Sequence, residues 1–165
     1  MTNHHFTATV LRGAVLGVLA ASAAAILSPG LANAASCPAD KAGIDVRQPD
    51  STPAKDVTDN VLTSIDLGSE PIAIKDRSFR LRRLEIQPGG VVPWHSHGDR
   101  PAIIYVVAGE VTEYASTCSV GIVHKAGDAT PELHTTSHWW KNTGKTKAIL
   151  LSADLLHVKD DPHTM

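Results

Sequence analysis

Two histidines one residue apart, His95 and His97, follow a Pro-Gly-Gly segment, and His138 lies 41 positions after His97. In a β-strand, alternate side chains project to the same face, so residues at i and i+2 can present two imidazoles to one point. Neutral imidazole is the commonest metal ligand among protein side chains. The spacing therefore predicts a metal site built from His95, His97 and His138.

Neutral imidazoles supply no negative charge, so a divalent ion bound to three of them would keep its full charge. It would also have vacant coordination positions, three in an octahedral site and one in a tetrahedral site. Glu132 and His134 precede His138 and are two candidates for a further ligand. The sequence does not choose between them.

Other residues near the three histidines are candidates for shaping a pocket. Arg100 follows the histidine pair and suits a carboxylate-bearing ligand, although pairing with Asp99 or Asp128 is an equal alternative. Tyr105 lies on the next predicted strand and is a candidate for proton transfer. Aromatic side chains that either fill the core or line the pocket are Trp94, Trp139 and Trp140.

The first 34 residues indicate delivery to another compartment. They contain one basic residue, Arg12, and no acidic residue, followed by an apolar run over 14–27 and the small-residue segment Ala32-Asn33-Ala34. This pattern is typical of a cleaved secretory signal, and the run is short for a membrane-spanning helix. We expect a secreted or periplasmic protein that begins at Ala35 and has no membrane attachment. An uncleaved N-terminal anchor is the alternative.

Removing residues 1–34 leaves 131 residues with 14 basic and 17 acidic side chains, a net charge of −3. This length suits one domain with one core. The charge does not favour a nucleic-acid partner. A local basic cluster is expected on a solvated strand face and comprises Arg77, Arg80, Arg82 and Arg83.

Only two cysteines occur, Cys37 and Cys118, and both follow the predicted signal. An exported protein meets an oxidising environment, which allows a disulfide between them. Two unpaired thiols are the alternative, and a metal role is less favoured because neither cysteine is near the histidines in sequence.

The remaining pattern is of short strands and turns. Residues 35–58 are rich in Pro, Asp, Lys and Thr and predict an extended arm. A one-residue slip in the alternation at Arg82-Arg83 predicts a bulge, and Pro88-Gly89-Gly90 predicts a turn. No long helical stripe appears. The predicted strands are 61–67, 79–86, 102–107, 111–115, 120–124, 138–140 and 148–153, which favour an antiparallel sandwich or barrel.

The stretch from Gly89 through the histidine pair to Gly109 resembles the first cupin motif, in which a Gly, two His, a Glu and a second Gly have set spacings. Residues 138–142 resemble the end of the second motif, a His and an Asn separated by three residues. Two departures accompany the resemblance. The family's Glu ligand falls at Ala102, and its Pro-x-Gly turn falls at Leu133 and Thr135.

The resemblance implies an all-β fold: a single cupin-type double-stranded β-helix, or jelly-roll barrel, with an N-terminal extended arm. The expected divisions are 1–34 for the signal peptide, 35–58 for the arm, 59–158 for the barrel and 159–165 for a C-terminal tail. Cupins often form dimers, so a homodimer is a candidate assembly.

The resemblance also implies a function. Some cupins hold iron at three-histidine sites, notably thiol and diketone dioxygenases. We therefore expect an exported, metal-dependent oxidoreductase of dioxygenase type that acts on a small organic substrate. Fe(II) is the first candidate metal, and Mn, Ni, Cu and Zn are alternatives. The competing hypothesis is a non-catalytic module that binds a metal or a small ligand.

Overall fold

The computed structural model describes residues 35–160, and all regular elements in that range are strands. The predicted signal peptide and residues 161–165 of the predicted tail lie outside the described residues. Between residues 35 and 160, no helix has the length and hydropathy to cross a membrane. The strands are β1 Lys55–Asp66, β2 Ser78–Ser96, β3 Ala102–Ala108, β4 Glu110–Ala115, β5 Ile122–Lys125, β6 Ala129–Glu132, β7 Ser137–Lys141 and β8 Ala148–Leu156.

The strands form one antiparallel sheet in the order β5-β4-β7-β2-β8-β3-β6, and β1 pairs with β2. The sheet curls so that one face encloses the core, which confirms the prediction of an all-β fold of jelly-roll type. Strand β6 was not predicted. It pairs with β3, with Ala102 opposite Glu132 and Ile104 opposite Thr130.

Strand β2 is the central element of the sheet. It spans 19 residues, pairs with β8 from Ser78 to Ile86 and then with β7 from Val91 to Ser96. The predicted turn at Pro88-Gly89-Gly90 is therefore wrong, because the strand bends there and continues. Gly89 permits the bend, since its φ of +78° lies in the region that L side chains rarely adopt.

A buried asparagine fastens this bend to the turn between β7 and β8. The Asn142 side chain donates to the carbonyl oxygens of Ile86 (2.7 Å) and Thr146 (2.8 Å) and accepts from the Gly144 amide. Two backbone bonds, from the amide of Gly89 to the carbonyl of Asn142 and from the amide of Asn142 to the carbonyl of Gly90, complete the join. These bonds fix β2 relative to β7.

The core lies on the inner face of the curled sheet. Its residues come from five strands, and they recur at alternate positions because successive side chains in a strand point to opposite faces. The buried cluster comprises Leu84, Ile86, Val92, Ile104, Val106, Val111, Trp140, Ala148 and Leu150.

The expectation that the basic cluster lies on a solvated strand face is wrong for two of its four arginines, both of which are on β2. Arg80 and Arg82 are 1% and 4% exposed, because they alternate in phase with Leu84 and Ile86 on the inner face. Their charges are compensated by carboxylates on the neighbouring strands. Asp154 on β8 contacts both arginines, and Asp59 on β1 contacts Arg82.

The predicted bulge at Arg82-Arg83 is also wrong as placed. The pairing of β2 with β8 is continuous from Ser78 to Ile86, so β2 itself is regular there. The irregularity lies in the partner strand β1, whose register with β2 shifts between Val61 and Thr63.

The segment before β1 contacts the loop that follows β4, near the edge of the sheet formed by β5. Ala42 forms an isolated bridge with Cys118, and the Gly43 amide donates to the Thr117 carbonyl. A disulfide links Cys37 to Cys118, which is fully buried. Strand β1 begins at Lys55, within the segment that the sequence assigned to the arm.

The disulfide closes a loop with a sequence separation of 81 residues, so its removal is expected to relax the unfolded chain. In the chain-entropy model, a loop of this length corresponds to about 4 kcal/mol of stability. We expect the double variant Cys37→Ala/Cys118→Ala to lose about 2–4 kcal/mol in urea denaturation. Reduction of the wild-type protein should give a similar loss, and an unchanged midpoint in both experiments would contradict the structural role.

Candidate metal centre

Three imidazole rings meet on the inner face where β2 and β7 pair. His95 on β2 lies directly opposite His138 on β7 in the register, and His97 follows two residues later. The Nε2 atoms are 3.2 Å apart for His95 and His97, 3.1 Å for His97 and His138, and 3.1 Å for His138 and His95. The three nitrogens thus form a nearly equilateral triangle.

The opposite ring nitrogen of each histidine faces an atom that can only accept a hydrogen bond. The Nδ1 atom of His95 is 2.9 Å from the Pro93 carbonyl oxygen, and that of His97 is 3.0 Å from the Arg100 carbonyl oxygen. The Nδ1 atom of His138 is 2.7 Å from Oε1 of Glu113. Each Nδ1 must therefore carry the hydrogen, and in a neutral ring Nε2 is then an acceptor. Nε2 of His138 also accepts a hydrogen bond from the indole N–H of Trp140, at 3.2 Å.

The rings of the histidine pair are held in the neutral form. Burial, reinforced by repulsion from His138, lowers the pKa of His95 to about 2 and that of His97 to about 4. At neutral pH, the Nε2 lone pairs of His95 and His97 therefore face each other at 3.2 Å, and both face Nε2 of His138 at 3.1 Å. Lone pairs in such an arrangement repel each other unless a cation lies between them.

The triangle fits a metal ion. At the nitrogen-to-metal distance of about 2.0–2.1 Å, octahedral and tetrahedral angles separate two ligand nitrogens by about 2.8–3.4 Å. The observed separations of 3.1–3.2 Å fall in this interval. His95, His97 and His138 are therefore arranged as ligands that could hold one metal ion.

A buried carboxylate orients His138. Glu113 on β4 is 4% exposed and accepts from Nδ1 of His138 through Oε1 and from Nε2 of His124 through Oε2, at 2.7 and 3.0 Å. Burial alone would raise the pKa of Glu113, but the hydrogen bonds from His124 and His138 outweigh it and lower the pKa. The carboxylate therefore stays ionised and fixes the tautomer of His138, as carboxylates commonly do for metal-binding histidines.

Glu132 lies beside this carboxylate. One of its oxygens is 3.5 Å from Nδ1 of His138, the other has no hydrogen-bond partner, and the residue is 1% exposed. Burial and the nearby charge of Glu113 raise the pKa of Glu132 well above its usual range. Glu132 thus adjoins the side of the His138 ring that faces away from the triangle.

The histidine triangle opens into a small, largely apolar pocket. Its empty space, including the open mouth, is about 360 Å³, and the centre of a water molecule fits in about 20 Å³ of it. This leaves room for few atoms besides an ion. The lining side chains are Arg82, Leu84, Val92, His95, His97, Ile104, His138, Trp140, Leu150 and Ser152.

A buried ion-pair network borders the pocket. Asp154 accepts two hydrogen bonds from Arg80, at 2.9 and 2.6 Å, and lies 3.4 Å from Arg82 and 3.3 Å from Arg100. Arg82 also donates to Oγ of Ser152 at 3.3 Å. The pocket therefore has imidazole nitrogens at one part of its wall and a guanidinium at another.

Comparison with known proteins identifies the domain that contains the three histidines. The family model described as the Cupin domain matches residues 82–154, which include all three histidines. The chain contains a cupin domain. No curated protein matches the chain significantly in sequence. The resemblance predicted from the histidine and glycine spacing is thus confirmed.

Solved structures similar to this cupin share modest identity. A predicted oxalate decarboxylase from Thermotoga maritima is 28% identical, with 47% of this chain and 65% of that chain covered and a TM-score of 0.43. A double-stranded β-helix protein from Klebsiella pneumoniae is 18% identical, with 70% and 87% covered and a TM-score of 0.49. An oxalate oxidase in complex with glycolate is 23% identical, with 74% and 62% covered and a TM-score of 0.47. The chain thus covers less than two thirds of the first and third of these structures.

The cupin structure corrects several candidate site residues. Tyr105 is 44% exposed and faces outward, because Ile104, one position earlier, lines the pocket and strand side chains alternate. His134 is exposed in the turn after β6 and is outside the histidine group. Glu132 is buried but adjoins Nδ1 of His138, so it is not placed as a ligand beside the three Nε2 atoms.

Arg100 is buried near the three histidines, and its side chain contacts a carboxylate that the sequence did not indicate as a partner. Its guanidinium lies 3.3 Å from Asp154 on β8. Its backbone carbonyl accepts the Nδ1 hydrogen of His97. Arg100 thus positions a histidine through its main chain.

Sequence reasoning missed two residues of the site. Glu113 lies between Val111 and Ala115 at alternate positions, and both neighbours are buried. An acid in phase with apolar residues on a strand is a signal for an inward-facing carboxylate. Arg82 shows the same pattern, because it lies at alternate positions on β2 with the buried residues Leu84 and Ile86.

The carboxylate of Glu113 is expected to strengthen metal binding through His138. We expect Glu113→Gln to weaken metal affinity by about 10–100-fold, because the amide lacks the charge that holds the Nδ1 hydrogen. Competition with a chromophoric chelator measures the change. Glu110→Gln on the same strand is the matched control and should bind as wild type. Equal affinity in both variants would contradict the role of Glu113.

Asp154 is expected to be important for stability because three guanidiniums share it. Asp154→Asn removes the buried countercharge and should cost about 3–5 kcal/mol in urea denaturation. Glu85→Gln is the control, since Glu85 pairs with Arg83 and Lys147 at the surface and should matter little. Similar midpoints for the two variants would show that the network does not stabilise the fold.

Proposed function

We propose that this protein is an exported metal-binding cupin that acts as a metal-dependent enzyme of dioxygenase type on a small organic substrate. One observation carries the proposal: the Nδ1 atoms of His95, His97 and His138 all face acceptors, which directs three Nε2 lone pairs to one point. Such an arrangement favours a cation over hydrogen bonds between the rings.

Fe(II) is the metal we propose, with Mn, Ni, Cu and Zn as alternatives. Imidazole suits several of these ions, so the three ligands alone do not select one. A redox-active ion in this position would activate dioxygen toward a bound substrate. The family's Glu ligand is replaced by Ala102, which is buried and has no ligand atom.

The chain itself would supply binding and orientation. The three histidines hold the ion, and Glu113 keeps the His138 ring in the required tautomer. Leu84, Ile104 and Leu150 line the pocket and limit the entry of water. A site of this kind protects reactive chemistry from side reactions because bulk solvent is excluded.

Export is proposed from the N-terminal pattern together with the disulfide. The segment 1–34 has the features of a secretory signal, and the bond between Cys37 and Cys118 would persist in an oxidising compartment. A cytosolic environment would tend to keep these thiols reduced.

The first experiment measures metal content in protein purified without a histidine tag. We expect stoichiometric divalent metal in the wild-type protein, a large loss in His138→Ala, and full retention in His134→Ala, in which an exposed histidine is removed. Elemental analysis by mass spectrometry gives the stoichiometry. Failure of the wild-type protein to retain any of the five metals would overturn the metal site.

A second measurement distinguishes an enzyme from a binding module. Oxygen consumption by the iron-loaded protein is recorded with a panel of small thiols and small diketones, and turnover should disappear in His138→Ala. Stoichiometric metal or tight ligand binding without any oxygen uptake would favour the non-catalytic module over the enzyme.

A further inference from the structure

The pocket has a polar group that the three histidines do not use. The Arg82 side chain lines the same pocket as His95, His97 and His138 and is 4% exposed. Its Nη1 donates to Asp59, and its Nη2 donates to Ser152 and Asp154. Its Nε is buried and has no hydrogen-bond partner among the described residues.

An unpartnered N–H on a buried guanidinium calls for an acceptor, because buried polar groups in folded proteins are nearly always hydrogen-bonded. A guanidinium has only donors, so the missing partner must offer an acceptor atom. Anionic oxygen is the strongest such acceptor, since the hydrogen bond is then assisted by charge on both sides. The apolar side chains on the remaining pocket wall, including Leu84, Val92 and Leu150, offer no acceptor of their own.

The three histidines favour an anionic ligand for a separate reason. Three neutral imidazoles give an ion no negative charge, and Ala102 stands where the family pattern has a carboxylate ligand. Glu113 supplies one negative charge through its hydrogen bond with His138, so a dication held there keeps a net positive charge that an anionic ligand would compensate. The metal position and Arg82 therefore favour the same class of ligand from two parts of one pocket.

We propose that the pocket binds small organic acids and that Arg82 is the residue that selects their carboxylate. This inference rests on the proposed metal site and adds the substrate class. The small free volume restricts the ligand to a few heavy atoms. Arg80 and Arg100 contact Asp154 as well, but Arg82 is the arginine that lines the pocket.

The test uses the full mature chain loaded with Co(II), whose visible spectrum reports on the ligands of the ion. Acetate and its neutral isostere acetamide are the probes. We expect acetate to change the spectrum with saturation, and acetamide to need at least about tenfold higher concentration, because it lacks the charge that Arg82 recognises.

Two arginine variants test whether Arg82 is responsible for acetate binding. Arg82→Met should weaken acetate binding by about tenfold or more, which corresponds to the loss of one charge-assisted hydrogen bond. Arg83→Met is the matched control, because Arg83 is the next residue of the same strand and its side chain is 42% exposed and paired with Glu85. Arg83→Met should bind acetate as wild type.

Arg82→Lys keeps the buried charge beside Asp59 and Asp154 but has no Nε–H, so it tests the same contact should Arg82→Met fail to fold. Circular dichroism and the melting temperature establish folding for each variant. Weaker acetate binding in folded Arg82→Lys supports the inference, whereas wild-type affinity in a folded Arg82 variant overturns it.

The cobalt stoichiometry separates this inference from the proposed function. A wild-type protein that binds no Co(II) contradicts the metal site, and the substrate class falls with it. A protein that binds stoichiometric Co(II) but does not prefer acetate to acetamide contradicts the substrate class alone.

Discussion

The candidate metal centre depends on the positions of three imidazole hydrogen atoms. Each Nδ1 hydrogen of His95, His97 and His138 is committed to an oxygen that cannot donate in return: two backbone carbonyls and one ionised carboxylate. The Nε2 lone pairs are consequently preorganised before any ion arrives. Two of the three restraints come from the main chain, so they follow from the backbone path and do not need a particular side chain. Only the restraint on His138 depends on a residue type, the glutamate at position 113.

Buried charge is distributed unevenly around the pocket. On one side, Glu113 is stabilised by hydrogen bonds from two imidazoles, one of which is also a candidate ligand. On another side, one carboxylate, Asp154, is shared among three guanidiniums. Ionised groups are rarely buried without partners, because desolvation of a charge is costly. Both clusters therefore restrict the conformations of the strands that carry them, which are β4, β5 and β7 for the first cluster and β2 and β8 for the second.

The sequence predicted the family, the strand-rich architecture and the grouping of the three histidines, because these depend on residue spacing within two short motifs. Prediction from the sequence failed at charged residues that lie on the inner face of a strand. Arg80, Arg82 and Glu113 were misread or overlooked, since a charged residue is normally exposed and its buried partner lies on a strand distant in sequence. Tyr105 was placed in the site wrongly because adjacent strand residues face opposite sides of the sheet. In β3, Ile104 faces the core and Tyr105 faces outward. That choice depends on tertiary packing.

One irregularity in β2 explains how a single strand serves both the core and the metal centre. Inward residues of its first part, such as Arg82 and Leu84, have even numbers, as does Val92, whereas His95 and His97 have odd numbers. The pairing of β2 with β7 shifts register between Val92 and His95, which changes the phase of the alternation. With regular pairing, the histidines would face solvent, because a one-residue slip exchanges the two faces. The carbonyl of Pro93, inside this irregular stretch, accepts the Nδ1 hydrogen of His95. The bulge therefore turns the histidine pair inward and also orients the first ring.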